Sequence, residues 1–363
     1  MSLKQVYRWS QEIANQLPSL SVWQQKNVAL FSVGMIEAES CQQRAIARKL
    51  HWFGKRESLE RRQQRYVANE GIELKKLFTD WTRWVMRAQE RQTDIVLLVD
   101  ETKLQDHLGA MVLGLAYEGR CIPLAWRCYQ VEEYPAEGQV GVIMQLVEAV
   151  AAGLPVDCQP LLLADRGIGT SPALLRALDE MEWHYLVRVT KQSKLVSTSG
   201  EEYTIYDMVD EGEVWQAEGR VFKQRGRVPA AARALWLEGY EEPWALVTNA
   251  PTVSGYEYLT RNWQEQSFRD LKSHGWQWDT SHVWMPAHAA RLLFLLSVAY
   301  AWVLSLGTLG MIQGHRARPK KNARGRYIRR FSVFNEGLNF LAHLRNRGQP
   351  VCPKLFFASG KPL

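Results

Sequence analysis

Two short apolar runs, each closed by an aspartate, limit the fold more than any other feature of the chain. Ile95-Val96-Leu97-Leu98-Val99 ends at Asp100, and Leu161-Leu162-Leu163-Ala164 ends at Asp165. A strand with one face in water alternates polar and apolar residues, whereas an unbroken branched run needs cover on both faces. Such strands lie in the middle of a sheet flanked by helices, so an α/β architecture is expected. Residues 110–117 and 121–126 flank Glu118-Gly119-Arg120 as a hairpin. A helix is expected over about 138–152, another over 172–181, and further strands over 185–189 and 244–248.

Around this core the pattern changes. Residues 1–92 are helical throughout, with apolar residues at helical spacing such as Ala29, Leu30, Val33 and Ile36, then Leu74, Leu77, Phe78, Trp81 and Val85. The core occupies 93–190 and resumes over 241–312. Between these parts, residues 191–240 carry short alternating stretches around 214–217 and 234–237, which predicts a β-rich insertion. Residues 313–363 form a basic C-terminal region. Residues 292–312 run for twenty-one positions without a formal charge, long enough to span a bilayer. The same pattern fits a helix buried on all sides by protein, and this is the preferred expectation, with no membrane partner. The five cysteines are scattered, with no metal or redox spacing, which predicts reduced thiols in a cytoplasmic protein. The N-terminus lacks the pattern of a signal peptide.

The formal net charge is +7 with a pI near 9.1, and the excess is clustered. From Arg44 to Arg91 there are thirteen Lys or Arg against six Asp or Glu, and residues 316–330 hold eight Lys or Arg and no acid. Clustered basic charge selects a polyanionic partner, with nucleic acid ahead of an anionic membrane surface. Arg44, Arg48 and Lys49 in the first stretch and Arg324 and Arg326 in the second are candidate DNA contacts. A solvated helix surface, or a lipid-facing patch for the second stretch, has the same composition.

A carboxylate at the end of a buried strand is held rigidly at the sheet edge with its oxygens accessible, so Asp100 and Asp165 are candidate catalytic groups. Glu101 and Asp106 lie near the first and are ascribed to loop polarity. A third carboxylate comes from the segment GYEYLTRNWQEQSFRDLKSHGW. If it is one helix at about 100° per residue, Tyr258, Arg261, Glu265 and Lys272 share one face, with Arg269 close beside them. Two divalent cations can activate an attacking oxygen and stabilise a leaving one in phosphodiester cleavage. Hard cations of this kind take oxygen ligands. Arg and Lys beside them suit phosphates, and Tyr258 suits a base or a phosphate.

The spacing of Tyr258, Arg261, Glu265 and Lys272 resembles the YREK signature of bacterial insertion-sequence transposases of the DDE group. The resemblance covers roughly residues 93–310, with Asp100 and Asp165 in the expected order and strand contexts. It implies a ribonuclease-H-like mixed-sheet core with a β-rich insertion before the glutamate helix, following a helical N-terminal domain. It further implies Mg2+ (with Mn2+ as substitute) held by Asp100, Asp165 and Glu265, and cut-and-paste transposition. The implied partner is double-stranded DNA, both terminal inverted repeats and target, bound by a dimer at the bacterial nucleoid. Tyr258, Arg261 and Lys272 would then contact DNA near the cleaved end. Where well-known members carry a Trp three positions before the glutamate, this chain has Asn262, with Trp263 beside it. Trp215 and Trp236 are the alternative candidates for holding a flipped base. A domesticated nuclease, a non-catalytic DNA-binding repressor and a membrane-anchored protein remain the competing functions.

Overall fold

The computed structural model describes residues 1–90, 95–156, 158–222, 226–273, 275–321 and 327–358. Five helices open the chain: α1 (Leu3–Gln16), α2 (Val22–Ala38), α3 (Gln43–Lys49), α4 (Arg56–Val67) and α5 (Leu74–Arg87). The first two begin on reciprocal capping boxes, Ser2 with Gln5 and Ser21 with Gln24, which satisfy helix-end donors that would otherwise lack partners. The helical N-terminal domain is therefore present as expected.

The sheet follows, with β1 (Val96–Leu104), β2 (Leu108–Tyr117) and β3 (Arg120–Gln130) as an antiparallel meander. Helix α6 (Gly138–Ala151) then crosses to β4 (Leu161–Ala164), and α7 (Arg166–Gly169) and α8 (Pro172–Glu180) lead to β5 (His184–Arg188). Strands β1, β4 and β5 are parallel neighbours. Their central positions are buried almost completely, which is why these runs could dispense with alternation. Next come β6 (Lys194–Ser197), β7 (Glu202–Thr204), β8 (Val214–Val221), β9 (Val228–Leu235) and β10 (Trp244–Thr248). The sheet order is β3-β2-β1-β4-β5-β10-β9-β8-β6-β7. Its first five strands form the mixed ribonuclease-H-like core. The inserted strands pair through β9 onto β10 and extend that sheet.

The remaining elements are α9 (Asn262–Leu271), α10 (Pro286–Ile312), the short strands β11 (Lys320–Lys321) and β12 (Tyr327–Ile328), and α11 (Val333–Asn346). The uncharged stretch lies in α10, the one helix among the described residues long and apolar enough to cross a membrane, and 94% of its most apolar window is buried inside the protein. Trp302 of α10 stacks on Trp9 of α1 with ring centroids 4.1 Å apart. Helix α11 approaches closely enough that a Cβ at Gly337 would lie 2.0 Å from the Val303 carbonyl oxygen. The apolar side chains of α1, α2, α5, α10 and the meander form one buried cluster.

Two expectations are corrected. Strand β1 does not end at Asp100 but continues to Leu104, because β2 keeps pairing along its other edge. The segment from Gly255 is not one helix: residues Tyr256–Arg261 form a 3-10 turn, and α9 begins at Asn262. Gly255 starts that turn at φ 101°, a left-handed conformation that favours glycine.

Candidate active site

Register brings the two aspartates together. The parallel pairing of β1 with β4 runs from Val96–Leu161 to Val99–Ala164, and the next residue on each strand is Asp100 and Asp165. Each carboxylate has one oxygen engaged by backbone. Oδ1 of Asp100 accepts from the Glu101 amide at 2.9 Å, and Oδ1 of Asp165 accepts from the Ile168 amide at 3.1 Å, capping α7. Their Oδ2 atoms both face Nη2 of Arg261, at 2.9 Å and 3.5 Å. Nη1 of the same guanidinium pairs with Oε1 of Glu265. One cation therefore gathers all three carboxylates.

Helix α9 holds Glu265 in place through its opposite face. Gln264 Nε2 donates to the Val112 carbonyl at 2.8 Å, and the Cys121 amide donates to Ser267 Oγ at 2.6 Å. Asp270, one turn on, accepts from Arg120 Nε at 2.5 Å and from the Tyr300 hydroxyl at 2.9 Å. Gln264, Ser267, Phe268 and Leu271 are buried, which leaves Glu265 about half exposed.

The electrostatics are those of an acid-rich site. Burial pushes the Asp100 carboxyl up to about 6; Arg261 pulls it down and the neighbouring Asp165 pushes it up further. Burial works against the Arg261 charge, yet Asp100 and the other acids hold its pKa above the ordinary arginine value. Three carboxylates against one guanidinium leave a net negative charge when all are ionised. Among the described residues no three His, Cys, Asp or Glu side chains converge tightly enough to share a metal ion, because the guanidinium lies between them. The donor set is nonetheless one of carboxylate oxygens turned toward a cation, the ligand chemistry that Mg2+ takes.

The other expected residues fall differently. Tyr258 is buried, and its ring meets Trp244 edge-on at 5.2 Å; burial raises its phenol to about 12. Lys272 caps α9 on non-helical backbone and donates to Thr102 Oγ1 and, at 2.7 Å, to the Lys103 carbonyl. Burial lowers its pKa, while Asp279 and Asp100 oppose that shift. Arg269 is exposed and does not line the cleft. Arg44, Arg48 and Lys49 are exposed on α3, next to a shallow surface on α4 lined by Ser58, Arg61, Gln64 and Arg65. Arg324 and Arg326 lie outside the described residues. Neither Trp215 nor Trp236 lines the cleft: Trp215 packs edge-on against Tyr203, and Trp236 donates to the Tyr240 carbonyl at 3.0 Å. Trp263 packs with the apolar cluster around Leu98 and Leu163.

A cleft of ≈ 650 Å³ opens beside the carboxylates and is lined in part by Asp165, Tyr240, Glu242, Trp244, Tyr258 and Glu265. Sequence reasoning missed Tyr240, Glu242 and Trp244, and also Arg166 and Arg188 on the same wall. Only Arg188 carried a signal, a charge at the end of an otherwise apolar strand.

Residues 143–302 match the family model of the transposase DDE domain. Over these residues the chain is similar to that domain. The match takes in Asp165 and Glu265 but starts after Asp100, so the first aspartate joins the set through the β1–β4 register and its ion pair with Arg261. Among curated proteins none matches the chain. The matched residues run from within α6 into α10, and Asp165 lies just past the point where β1 and β4 stop pairing.

Proposed function

We propose that the chain is a cut-and-paste DNA transposase of the YREK type, acting through Asp100, Asp165 and Glu265 as ligands of two Mg2+ ions, with Mn2+ as substitute. The convergence of these three carboxylates on one half-buried guanidinium carries this reading. A cluster of three acids around one cation is held together by charge. It will accept divalent cations when Arg261 turns to a strand phosphate, where a guanidinium binds in bidentate fashion. Paired divalent ions in such a site supply charge neutralisation at both the attacking and the leaving oxygen. The chain's own residues orient the strand: Arg261 pairs with Asp100, Lys272 holds Thr102 and Lys103 further along the same β-strand, and Tyr258 lines the cleft.

In this reading residues 1–92 are the helical DNA-binding domain, with Arg44, Arg48 and Lys49 as backbone contacts. Residues 93–190 and 241–312 are the two parts of the catalytic core, and 191–240 the insertion. Residues 313–363, with Arg324, Arg326 and Arg269 of the core, add further contacts. The partners are terminal inverted repeats and target DNA, bound by a dimer that holds two ends. The test is cleavage of an end-containing duplex in Mg2+. Asp100→Asn, Asp165→Asn and Glu265→Gln are each expected to lower the rate by at least about a thousandfold, the scale on which essential electrostatic groups act, while duplex binding in EDTA persists. Undiminished cleavage in any of the three removes that residue from the mechanism.

A further inference from the structure

A second ion cluster lies on the wall of the same cleft. Glu242, in the loop between β9 and β10, accepts on Oε1 from Arg166 Nη2 at 2.6 Å and from Arg188 Nη2 at 2.5 Å. Its Oε2 meets Lys191 Nζ at 2.7 Å and the Tyr206 hydroxyl at 3.4 Å. The cations come from three places: Arg166 directly follows Asp165, Arg188 ends β5, and Lys191 lies just beyond it. The single acid comes from a separate, largely exposed loop, in which Glu238, Gly239, Tyr240 and Glu241 face solvent.

Three cations around one carboxylate exceed what a structural ion pair needs. Among the described residues the Nε–H groups of Arg166 and Arg188 have no hydrogen-bond partner, so the guanidinium forks are only partly used. Like charges crowded together cost free energy unless an anion offsets them. Here the offset is a loop side chain that is about one-third exposed. Two adjacent arginines and a lysine match the fork-and-point-charge chemistry by which phosphates are bound.

We propose that Arg166, Arg188 and Lys191 form a binding site for a backbone phosphodiester beside the carboxylates, and that Glu242 is its internal occupant. The carboxylate is exchanged for a strand phosphate when DNA enters the cleft. This rests on the transposase reading and adds to it a subsite and the side chain that guards it. With Arg166 adjacent to Asp165, a phosphate held there lies along the strand from the one at the carboxylates.

The test uses the full chain in EDTA, so that cleavage plays no part, with a short fluorescent duplex of arbitrary sequence. Glu242→Gln is expected to bind severalfold more tightly than the wild type. Its salt slope should stay close to the wild type's, since the same phosphate is neutralised in both complexes and only the carboxylate to be displaced is gone. Adding Lys191→Gln to Glu242→Gln should cancel most of the gain. Lys191→Gln alone should weaken the wild type less, because Glu242 already neutralises part of that charge. Affinity equal to or below the wild type's in a folded Glu242→Gln protein overturns the proposal. So does a gain for inorganic phosphate without one for the duplex. Should Glu242→Gln fail to fold, an unchanged duplex affinity and salt slope in Lys191→Gln would reject the site. Wild-type chain that binds the duplex and cleaves ends, with no gain in Glu242→Gln, rejects this site and leaves the transposase reading intact.

Discussion

Replacing Asp100 with asparagine should make the protein more stable while removing its activity. The carboxyl sits at 12% side-chain exposure and is pushed up to about 6 from an ordinary 3.8, chiefly by burial. Asparagine keeps the shape and does not ionise, although its single amide oxygen can accept from Arg261 or from the Glu101 amide but not from both, which offsets part of the gain. Each pKa unit corresponds to 1.36 kcal/mol, so a shift of about two units makes ionisation cost about 3 kcal/mol in the folded protein. The sign follows from proton counting. Between pH 4 and 6 the folded state binds more protons at this site than the unfolded state, so wild-type stability falls as pH rises through that window. Above pH 6 the loss is complete and constant. Asp100→Asn escapes it, so its advantage should be absent near pH 4, open by pH 6 and stay flat to pH 8. At pH 8 and in EDTA the gain should appear as a Tm rise of roughly 3–6 °C for a chain of this size. Adding Mn2+ should then raise the wild-type Tm, because binding to the folded state alone stabilises it, and should raise the variant's less. Thermal unfolding by circular dichroism across pH 4–8 measures both. A variant no more stable than the wild type at pH 8, or a gap independent of pH, would refute the reasoning.

Three further outcomes are expected. Glu242 is held down at about 2, first by its hydrogen bond to Lys191 and then by Arg166 and Arg188; its contribution to stability should be lost as pH falls from about 4.5 toward 2, and acid titration of Glu242→Gln should lack that component. Combined Arg44→Gln, Arg48→Gln and Lys49→Gln should weaken duplex binding equally for all sequences and reduce the salt slope by about 0.9 for each phosphate that is no longer neutralised; a weakening confined to one sequence would contradict a backbone role. Gly337→Ala should destabilise by about 1–3 kcal/mol, since a Cβ there meets the Val303 carbonyl oxygen at 2.0 Å; Gly54→Ala, with nothing within 4 Å, is the control.

The core strands were legible because burial on both faces leaves a periodicity of its own. Ile95–Val99 and 161–164 could each be recognised as a central strand from composition, whereas their pairing, and the register that sets Asp100 against Asp165, came only with the structure. The end of β1 was not legible, since Glu101, Thr102 and Lys103 look like a loop until β2 pairs with them. The glutamate helix was placed correctly in its second half and wrongly in its first. Tyr256–Arg261 has helical spacing, but its tighter 3-10 winding turns Tyr258 into the apolar cluster with Trp244. The cation cluster escaped for a different reason: Glu242 is 54 positions from Arg188 and 76 from Arg166. Long-range ion pairing of a loop residue leaves no local pattern to read.

The site separates the parts that hold from the parts that act. Gln264, Ser267 and Asp270 fix α9 to the meander through one face, so Glu265 keeps its place whatever Arg261 does. Arg261 itself stands on the 3-10 turn ahead of that helix, so its exchange of the carboxylates for a phosphate does not require α9 to move. In the second cluster Glu242 stands on a loop, while Arg166 starts α7, Arg188 ends β5 and Lys191 lies in the turn after it. In both clusters two of the three like charges stand on regular elements, and the neutralising charge stands on a 3-10 turn or a loop. A strand that brings phosphates and divalent cations supplies both missing counter-charges at once. Arg261 and Glu242 are therefore the two residues whose release should be coupled, and a Glu242→Gln, Arg261→Gln double variant should show a non-additive change in duplex affinity if a single strand displaces both.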